Sequence, residues 1–569
     1  MYKDLYNEWL KSDKLTPNEK RELEAIKDSD EEIEYRFGKN LEFGTAGMRG
    51  IIGMGTNMMN VYTVKRASQG LAEYIKKRGP LAKIRGVAIA FDTRQFSREF
   101  AAAAAVVLAS NKIKVYLFER VHPVPMLSFA VRDLNCVAGI MITASHNPKE
   151  YNGYKVYGED GAQMSPEATA KVVEFIDNIK SPLSDEILYS KKSVKYVKFI
   201  GKRTDKHYYD RITKLVLSPE ETKEVGREIK LVYTPVHGSG FIPVTTILKK
   251  LGIKASVVSE QESEDPAFST VEVPNPEYKE TLSLAISQAN AEGADVVFGT
   301  DPDCDRLGVA IRNDKGEFTA LSGNETGVLL LDYILARLKD KGELSKKCFV
   351  VKSFVSTSLA KLIADDYNVE MMEVPVGFKF IGEKIKQYDD TGKRRFVFGF
   401  EESCGYLRGT HARDKDAVVA SMLFAEMVCY YNAHGIKVYD RLQEIYHKYG
   451  YVCDKSVSTM YSGLNAMRDM NAVVDMMKAK NITEVAGIKV IAKRDYSSLL
   501  RTEGDKTTKI NSSPVNAVYY ELAGGGFICV RPSGTEPKLK VYYSVNGKNK
   551  AEAEATFIAV KQAFEALMK

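Results

Sequence analysis

Three times along this chain an apolar run stops abruptly in a short loop dense with reactive side chains. Residues 138–142, 295–300 and 396–400 open respectively into Thr143-Ala144-Ser145-His146-Asn147-Pro148, Asp301-Pro302-Asp303-Cys304-Asp305-Arg306 and Glu401-Glu402-Ser403-Cys404-Gly405-Tyr406. A short continuous apolar run reads as a strand buried on both faces, and open α/β sheets carry their functional loops at strand C-terminal ends. Each loop alone has a bland reading: a polar turn, a solvated acidic turn, a surface charge cluster. Their repetition argues for one site built from three similar units.

The runs at 87–91 and 114–118, the helix-like stretch 97–109, and further runs at 230–234, 255–259, 349–352 and 369–374 extend the same alternation. It predicts α/β domains with mixed or largely parallel sheets. A chain of 569 residues exceeds one core, and about three to five domains are expected. Composition shifts near Tyr451, where a smaller α+β domain begins and runs to an amphipathic helix over 550–568. We therefore expect four domains around a central cleft, over 1–205, 206–325, 326–450 and 451–569. Residues 1–40 predict one or two outer helices, and the Lys- and Ser-rich stretch 179–204 reads as a linker.

Hydrophobic content of 44% and charged content of 27% exclude a disordered chain. The net charge of +6 is spread among interleaved acids, so segments such as 191–198 read as solvated faces and no nucleic-acid groove is expected. A mild positive bias suits phosphorylated small molecules. The seven cysteines include no CxxC pair, which argues against zinc or a disulfide framework. The N-terminus lacks a signal-like apolar core, and 101–109 is too short to span a bilayer. A cytoplasmic protein without membrane contact is expected.

The chemistry follows from the residue types. The Ser145 hydroxyl is a weak nucleophile unless activated, and His146, Lys155 or a bound cation are the candidates. Asp301, Asp303 and Asp305 concentrate negative charge that calls for a hard divalent cation. An EF-hand is excluded, because Arg306 and Arg312 stand where that loop needs glycine and glutamate. Mg²⁺ is the better expectation, since it pairs a few carboxylates with a phosphate oxygen. The glycine-rich 43–50 segment, with Arg49, leaves amides free to face an anion. The paired glutamates Glu401 and Glu402 can accept bonds from sugar hydroxyls, and 410–416 holds the proton-transfer candidates His411 and Lys415. Near the C-terminus, Arg531, Ser533, Gly534 and Thr535 form a phosphate cup. No GxxxxGK[ST] loop is present, which argues against drawing phosphate from ATP.

In this order the motifs TASHNP, DPDCD, EES and RPSGTEP resemble the α-D-phosphohexomutase superfamily along essentially the whole chain. The N-terminal segment, FGTAGMRG and GFEESCGYLRGTHARDKDA look most like its bacterial phosphoglucomutase branch. The resemblance implies a phosphorylated Ser145, with Mg²⁺ held by Asp301, Asp303, Asp305 and a seryl phosphate oxygen. It implies Arg49, His146 and Lys155 around the transferring group, sugar contacts from Glu401 and Ser403, and a distal-phosphate clamp from Arg531, Ser533, Gly534 and Thr535. Thr45, Arg306, Gly377 and Lys379 complete the expected substrate contacts. Some relatives carry a histidine where this chain has Gly405-Tyr406, so the proton-transfer role falls to His411 or Lys415. The implied activity is interconversion of glucose 1-phosphate and glucose 6-phosphate through glucose 1,6-bisphosphate, in a monomer or dimer. Mannose or pentose phosphates, a bisphosphate synthase, a phosphomonoesterase and a silent phosphosugar sensor are the alternatives.

Overall fold

The computed structural model describes residues 2–44, 47–461, 465–533 and 538–568. Four sheets organise the chain. In the first, the order is Gly47–Ile51, Tyr151–Gly158, Ala138–Ile142, Val87–Phe91, Val115–Phe118, Val197–Ile200. Its last four strands are mutually parallel, and Tyr151–Gly158 runs antiparallel to both of its neighbours. The second sheet runs Phe318–Leu321, Leu307–Arg312, Val296–Thr300, Leu231–Thr234, Ala255–Val257, and the third Glu370–Val374, Cys348–Ser353, Arg395–Glu401, Gly405–Leu407.

One arrangement recurs in all three. A central strand pairs in parallel on one side, ends in a loop, and returns as an antiparallel neighbour: Ala138–Ile142 into Tyr151–Gly158, Val296–Thr300 into Leu307–Arg312, Arg395–Glu401 into Gly405–Leu407. Each outgoing strand is buried along its length, apart from Arg395 at the start of the third. This is why the three sequence runs lack alternation. The fourth sheet is antiparallel, extends from Tyr451–Met460 through Lys538–Gly547, Phe527–Pro532, Val518–Leu522, Ile488–Asp495 and Leu500–Glu503 to Lys506–Lys509, and is backed by the helix Lys550–Leu567.

The largest core lies between the second and third sheets. The helix Ala417–Ala433 runs through it, buried on nearly every face, and packs residues such as Phe424 against Phe298. An apolar surface all round a helix is what such a position requires. At the N-terminus three helices, Tyr2–Lys11, Pro17–Glu24 and Asp30–Phe37, close over Trp9 and Tyr62, one more than the one or two expected. Among the described residues no helix is long and apolar enough to cross a membrane, and all seven cysteines are free and buried.

The linker expected over 179–204 is corrected. Val197–Ile200 pairs in parallel with Val115–Phe118 as the outer strand of the first sheet, and Lys202–Ile212 follows as a helix. Lys198 and Phe199 are exposed at this edge, so the strand lacks the buried apolar run by which the inner strands are recognised.

Candidate active site

Ser145 occupies the left-handed region at φ 54°, uncommon for a residue with a Cβ. A hydrogen-bonded frame holds it there. Its amide donates to Thr143 Oγ1 at 2.8 Å, and the Thr143 hydroxyl donates to Asp92 Oδ2 at 2.6 Å. Asp92, fully buried at the end of Val87–Phe91, also accepts from Ser97 and from the Arg94 amide. The Arg94 guanidinium donates to the carbonyls of Ser145, Asn147, Pro148 and Tyr151. The serine is thus fixed with its hydroxyl facing the second sheet, where Oγ donates to Asp301 Oδ2 at 3.0 Å and lies 3.2 Å from His146 Nδ1. Burial, followed by the cations Arg306 and Arg49, pushes the His146 imidazole well below its ordinary value, which keeps it neutral. Arg49, exposed, donates to Asn147 Oδ1 at 2.7 Å.

In the aspartate loop the strained position is Cys304, at φ 50°. The Asp301 Oδ1 atom accepts the amides of Asp305 and Arg306, both at 3.0 Å, and so shapes the turn from within. All three carboxylates are buried. Lys155, returning on the antiparallel strand of the first sheet, places Nζ 2.8 Å from Asp303 Oδ2, and Lys415 places its own 3.0 Å from Asp305 Oδ2. Burial and the charges of Asp303 and Asp305 push Asp301 well above the carboxylate range. Burial works against the charge of Asp303, but Lys155, the hydrogen bond with Asp301 and Lys415 together outweigh it and hold the carboxyl well below that range. One oxygen from each aspartate lies within 4.8 Å of the others, while Asp303 Oδ1 and Asp305 Oδ1 are buried and accept no hydrogen bond. Hard oxygen donors, closely grouped and with two oxygens unsatisfied, fit a divalent metal ion.

The third loop is joined to the second through its backbone. Arg306 and Gly405 form an antiparallel bridge, and the Leu307 amide donates to Cys404 O at 3.0 Å. Cys404 is again left-handed, at φ 60°. Glu401 Oε1 accepts the Gly377 amide at 2.6 Å, and burial with the charge of Glu402 pushes its carboxyl up to about 7. Lys415 also pairs with Asp414 Oδ1 at 3.0 Å. Burial works against its charge, but Asp305, Asp414 and Glu401 outweigh it and hold the ammonium above its ordinary value.

Ser145, His146, Lys155, Asp301, Asp303, Asp305, Glu401 and Lys415 are therefore brought together, with Arg49 beside them through Asn147. Arg306 lies at the same place, but its guanidinium is engaged by Glu277 and lies at the edge of ion-pair distance from Asp301 and Asp305. His411 is not brought in. Its Nε2 is 2.7 Å from Asp416 Oδ2, its ring packs edge-on against Tyr208, and it braces the start of the buried helix. Lys379 is half-buried with Nζ over the Phe380 ring, between Glu383 and Glu167. Ser403 is half-buried on the third loop. Arg531 donates to Tyr542 Oη at 3.3 Å and feels the charge of Glu402, while the Ser533 amide donates to Lys538 O. Thr45, Gly534 and Thr535 lie outside the described residues.

Sequence reasoning missed Asp92 and Arg94, and it named Glu402 only as half of a glutamate pair and Asp414 only within the 410–416 cluster. The first two had a usable signal, since Asp92-Thr93-Arg94 directly follows the buried run 87–91, the same pattern that marked the other loops. Glu402 accepts from Ser353 Oγ at 2.8 Å, a partner that spacing does not reveal.

Four family descriptions match in chain order: phosphoglucomutase/phosphomannomutase alpha/beta/alpha domain I over 40–183, domain II over 206–316, domain III over 322–449 and the C-terminal domain over 472–560. The chain is 39% identical over 520 residues to a phosphoglucomutase of Staphylococcus haemolyticus, covering 91% of this chain and 92% of that one. A phosphoglucomutase of Staphylococcus aureus strain USA300 is 38% identical over 524 residues, covering 92% of each. Among solved structures, the pp63/parafusin phosphoprotein of Paramecium in its open form gives a TM-score of 0.69 at 16% identity, covering 93% of this chain and 96% of that one. A phosphoglucomutase/phosphomannomutase family protein of Burkholderia thailandensis gives 0.65 at 18% identity, covering 92% and 97%. At those identities the likeness concerns the fold.

Proposed function

The chain belongs to the phosphoglucomutase/phosphomannomutase family, and from that premise we propose that it interconverts glucose 1-phosphate and glucose 6-phosphate by way of a phosphorylated Ser145. The observation that carries the reading is the Ser145 hydroxyl held 3.0 Å from Asp301 Oδ2, against an aspartate trio with unsatisfied oxygens. Phospho-Ser145 gives its phosphoryl group to the free hydroxyl of the bound sugar phosphate. The resulting glucose 1,6-bisphosphate reorients and returns its other phosphoryl group to Ser145. Asp301, Asp303 and Asp305 would hold one Mg²⁺, which when bound supplies charge neutralisation on the transferring oxygens.

The residues of the chain supply the rest. Lys155 and Arg49 add positive charge beside the transferring group, and Glu401 accepts from sugar hydroxyls with Ser403 next to it. Lys415 is held charged, so it acts as a proton donor and electrostatic partner rather than as a resting base. Arg531 and Ser533, with Gly534 and Thr535, grip the phosphate that is not being transferred. This clamp favours a mutase over a phosphomonoesterase, which needs no grip on a second phosphate. Closure of the C-terminal domain over it excludes the water that would discharge phosphoserine. The domain limits 1–205, 206–325, 326–450 and 451–569 are part of this reading.

The test is a coupled assay with Mg²⁺ and a trace of glucose 1,6-bisphosphate, comparing glucose 1-phosphate, mannose 1-phosphate and ribose 1-phosphate, with Ser145→Ala alongside. Glucose 1-phosphate should give the highest kcat/KM, and the variant should lose nearly all turnover. A preference for mannose or ribose phosphate would keep the mechanism and change the substrate. Phosphate release without an isomerised sugar would overturn the mutase reading.

A further inference from the structure

Behind the third sheet lies a cleft of about 390 Å³ that shares none of the residues assembled around Ser145. It opens between the helix Lys202–Ile212 with the turn after it, the start of the strand Arg395–Glu401, and the segment 408–411. Its walls are strongly cationic. Arg211, Lys214, Arg394, Arg395 and Arg408 line it, against the single acid Asp389, and Asp389 is itself drawn to Arg413 and Arg132.

Two of the five cations are paired, Arg394 with Glu370 at 2.6 Å and Arg395 with Glu343 at 3.0 Å. Arg408 is the anomaly. Its residue is 7% exposed, its Nε donates to the Leu215 carbonyl at 3.3 Å, and it has no carboxylate within ion-pair distance among the described residues. Its two terminal nitrogens donate to no described protein atom, yet neither is sealed from solvent, so they open on the cleft. Keeping a guanidinium largely desolvated with its fork unused costs free energy unless an anion completes it. At the surface, Arg211 and Lys214 stand exposed at the mouth, also without a carboxylate partner among the described residues. Gly409, next to Arg408, turns the chain at φ 85°, and the amides of Gly409 and Thr410 have no described protein acceptor. Successive free amides beside an arginine fork are the donor types that phosphate oxygens accept from.

We propose that this cleft is a second binding site, separate from the one around Ser145, for a small phosphate-bearing anion held by Arg408, Arg211 and Lys214. The volume of about 390 Å³ suits a compact metabolite.

The probe is inorganic pyrophosphate, added to the full chain without Mg²⁺ and followed by hydrogen–deuterium exchange resolved by peptide. Pyrophosphate should slow exchange in peptides covering 394–397 and 408–411. Arg211→Gln/Lys214→Gln, two exposed changes that leave the fold intact, should raise the concentration needed for that protection at least tenfold. Protection around Ser145 and Arg531 should be unchanged by the pair, and kcat/KM for glucose 1-phosphate should stay within about twofold. Arg408→Gln should abolish the protection at 394–397 and 408–411, with near-ultraviolet circular dichroism reporting whether the variant folds. Protection confined to the loops around Ser145 and Arg531 overturns the proposal, as does protection indifferent to the Arg211/Lys214 pair. Equal protection by citrate would overturn its assignment to phosphate.

Discussion

Thr143 touches no substrate atom in the proposed reaction, yet the position of the nucleophile depends on its hydroxyl, which accepts the Ser145 amide and donates to Asp92 Oδ2. Thr143→Val keeps the shape and removes both bonds. It should lower kcat by about 10–100-fold, since small misplacements of a reacting group cost that much, with KM for glucose 1-phosphate little changed. An unaltered kcat would show that Arg94 alone fixes the loop. Lys415 and His411 divide in the same way. Lys415→Met should lower kcat by about 10²–10⁴-fold, the range of a lost proton-transfer group. His411→Gln, which weakens the tie to Asp416, should lower the melting temperature more than it lowers kcat. The opposite ranking in paired kinetic and thermal measurements would return the proton-transfer role to His411. At this scale the sequence was informative where residue types were unusual for a turn, as in the aspartate trio. It was silent on the distant partners of such residues, as on the Ser353 hydroxyl that donates to Glu402.

The recurring element is a buried parallel strand that turns back antiparallel, and this made three loops legible without a structure. What hid the outer strand Val197–Ile200 was its exposure: an edge strand with Lys198 and Phe199 facing solvent carries neither a continuous apolar run nor a clean alternation. Another element was unreadable for the opposite reason. The helix Ala417–Ala433 buries Glu426 completely, its Oε1 accepting the amides of Leu217 and Ser218 while Oε2 has no partner. Burial pushes this carboxyl up to about 7. A folded value above the unfolded one means that its contribution to stability is fully present below about pH 4.5 and is lost as pH rises towards 7. The loss amounts to roughly 3 kcal/mol at about 1.4 kcal/mol per unit. Glu426→Gln keeps an acceptor for the two amides and removes the titration. Its melting temperature relative to the parent chain should therefore rise between pH 5 and pH 8, and a difference independent of pH would refute this account.

Across the whole molecule, the three loops meet through Ser145 with Asp301 and Arg306 with Gly405, and the helix Val124–Asp133 of the first domain ties to both other domains. The Val124 amide donates to Asp303 O, and the Arg413 amide to Ser128 Oγ. The C-terminal sheet is attached through a buried cluster in which Phe354 and Val355 pack with Tyr496, Tyr519 and Phe527. Arg494 reaches Glu373 at 2.9 Å, Tyr496 stacks on Phe354 with centroids 4.2 Å apart, and Lys352 and Arg494 together outweigh burial to hold Glu373 down at about 2. Arg494→Ala removes the ion pair from this attachment. If closure of this domain retains the bisphosphate, the variant should need several-fold more added glucose 1,6-bisphosphate for half-maximal turnover. An unchanged requirement would place retention elsewhere.

The bridge between Arg306 and Gly405 bears on how such a protein can change. Because the aspartate loop and the Glu401–Glu402 loop share backbone hydrogen bonds, a substitution that reshapes one moves the other. Under the proposed function, selection for a different sugar should therefore act on metal affinity in the same step. Variants evolved towards mannose or pentose phosphates through residues 401–405 should emerge with an altered Mg²⁺ requirement, and substrate range and metal dependence would be inherited as one trait.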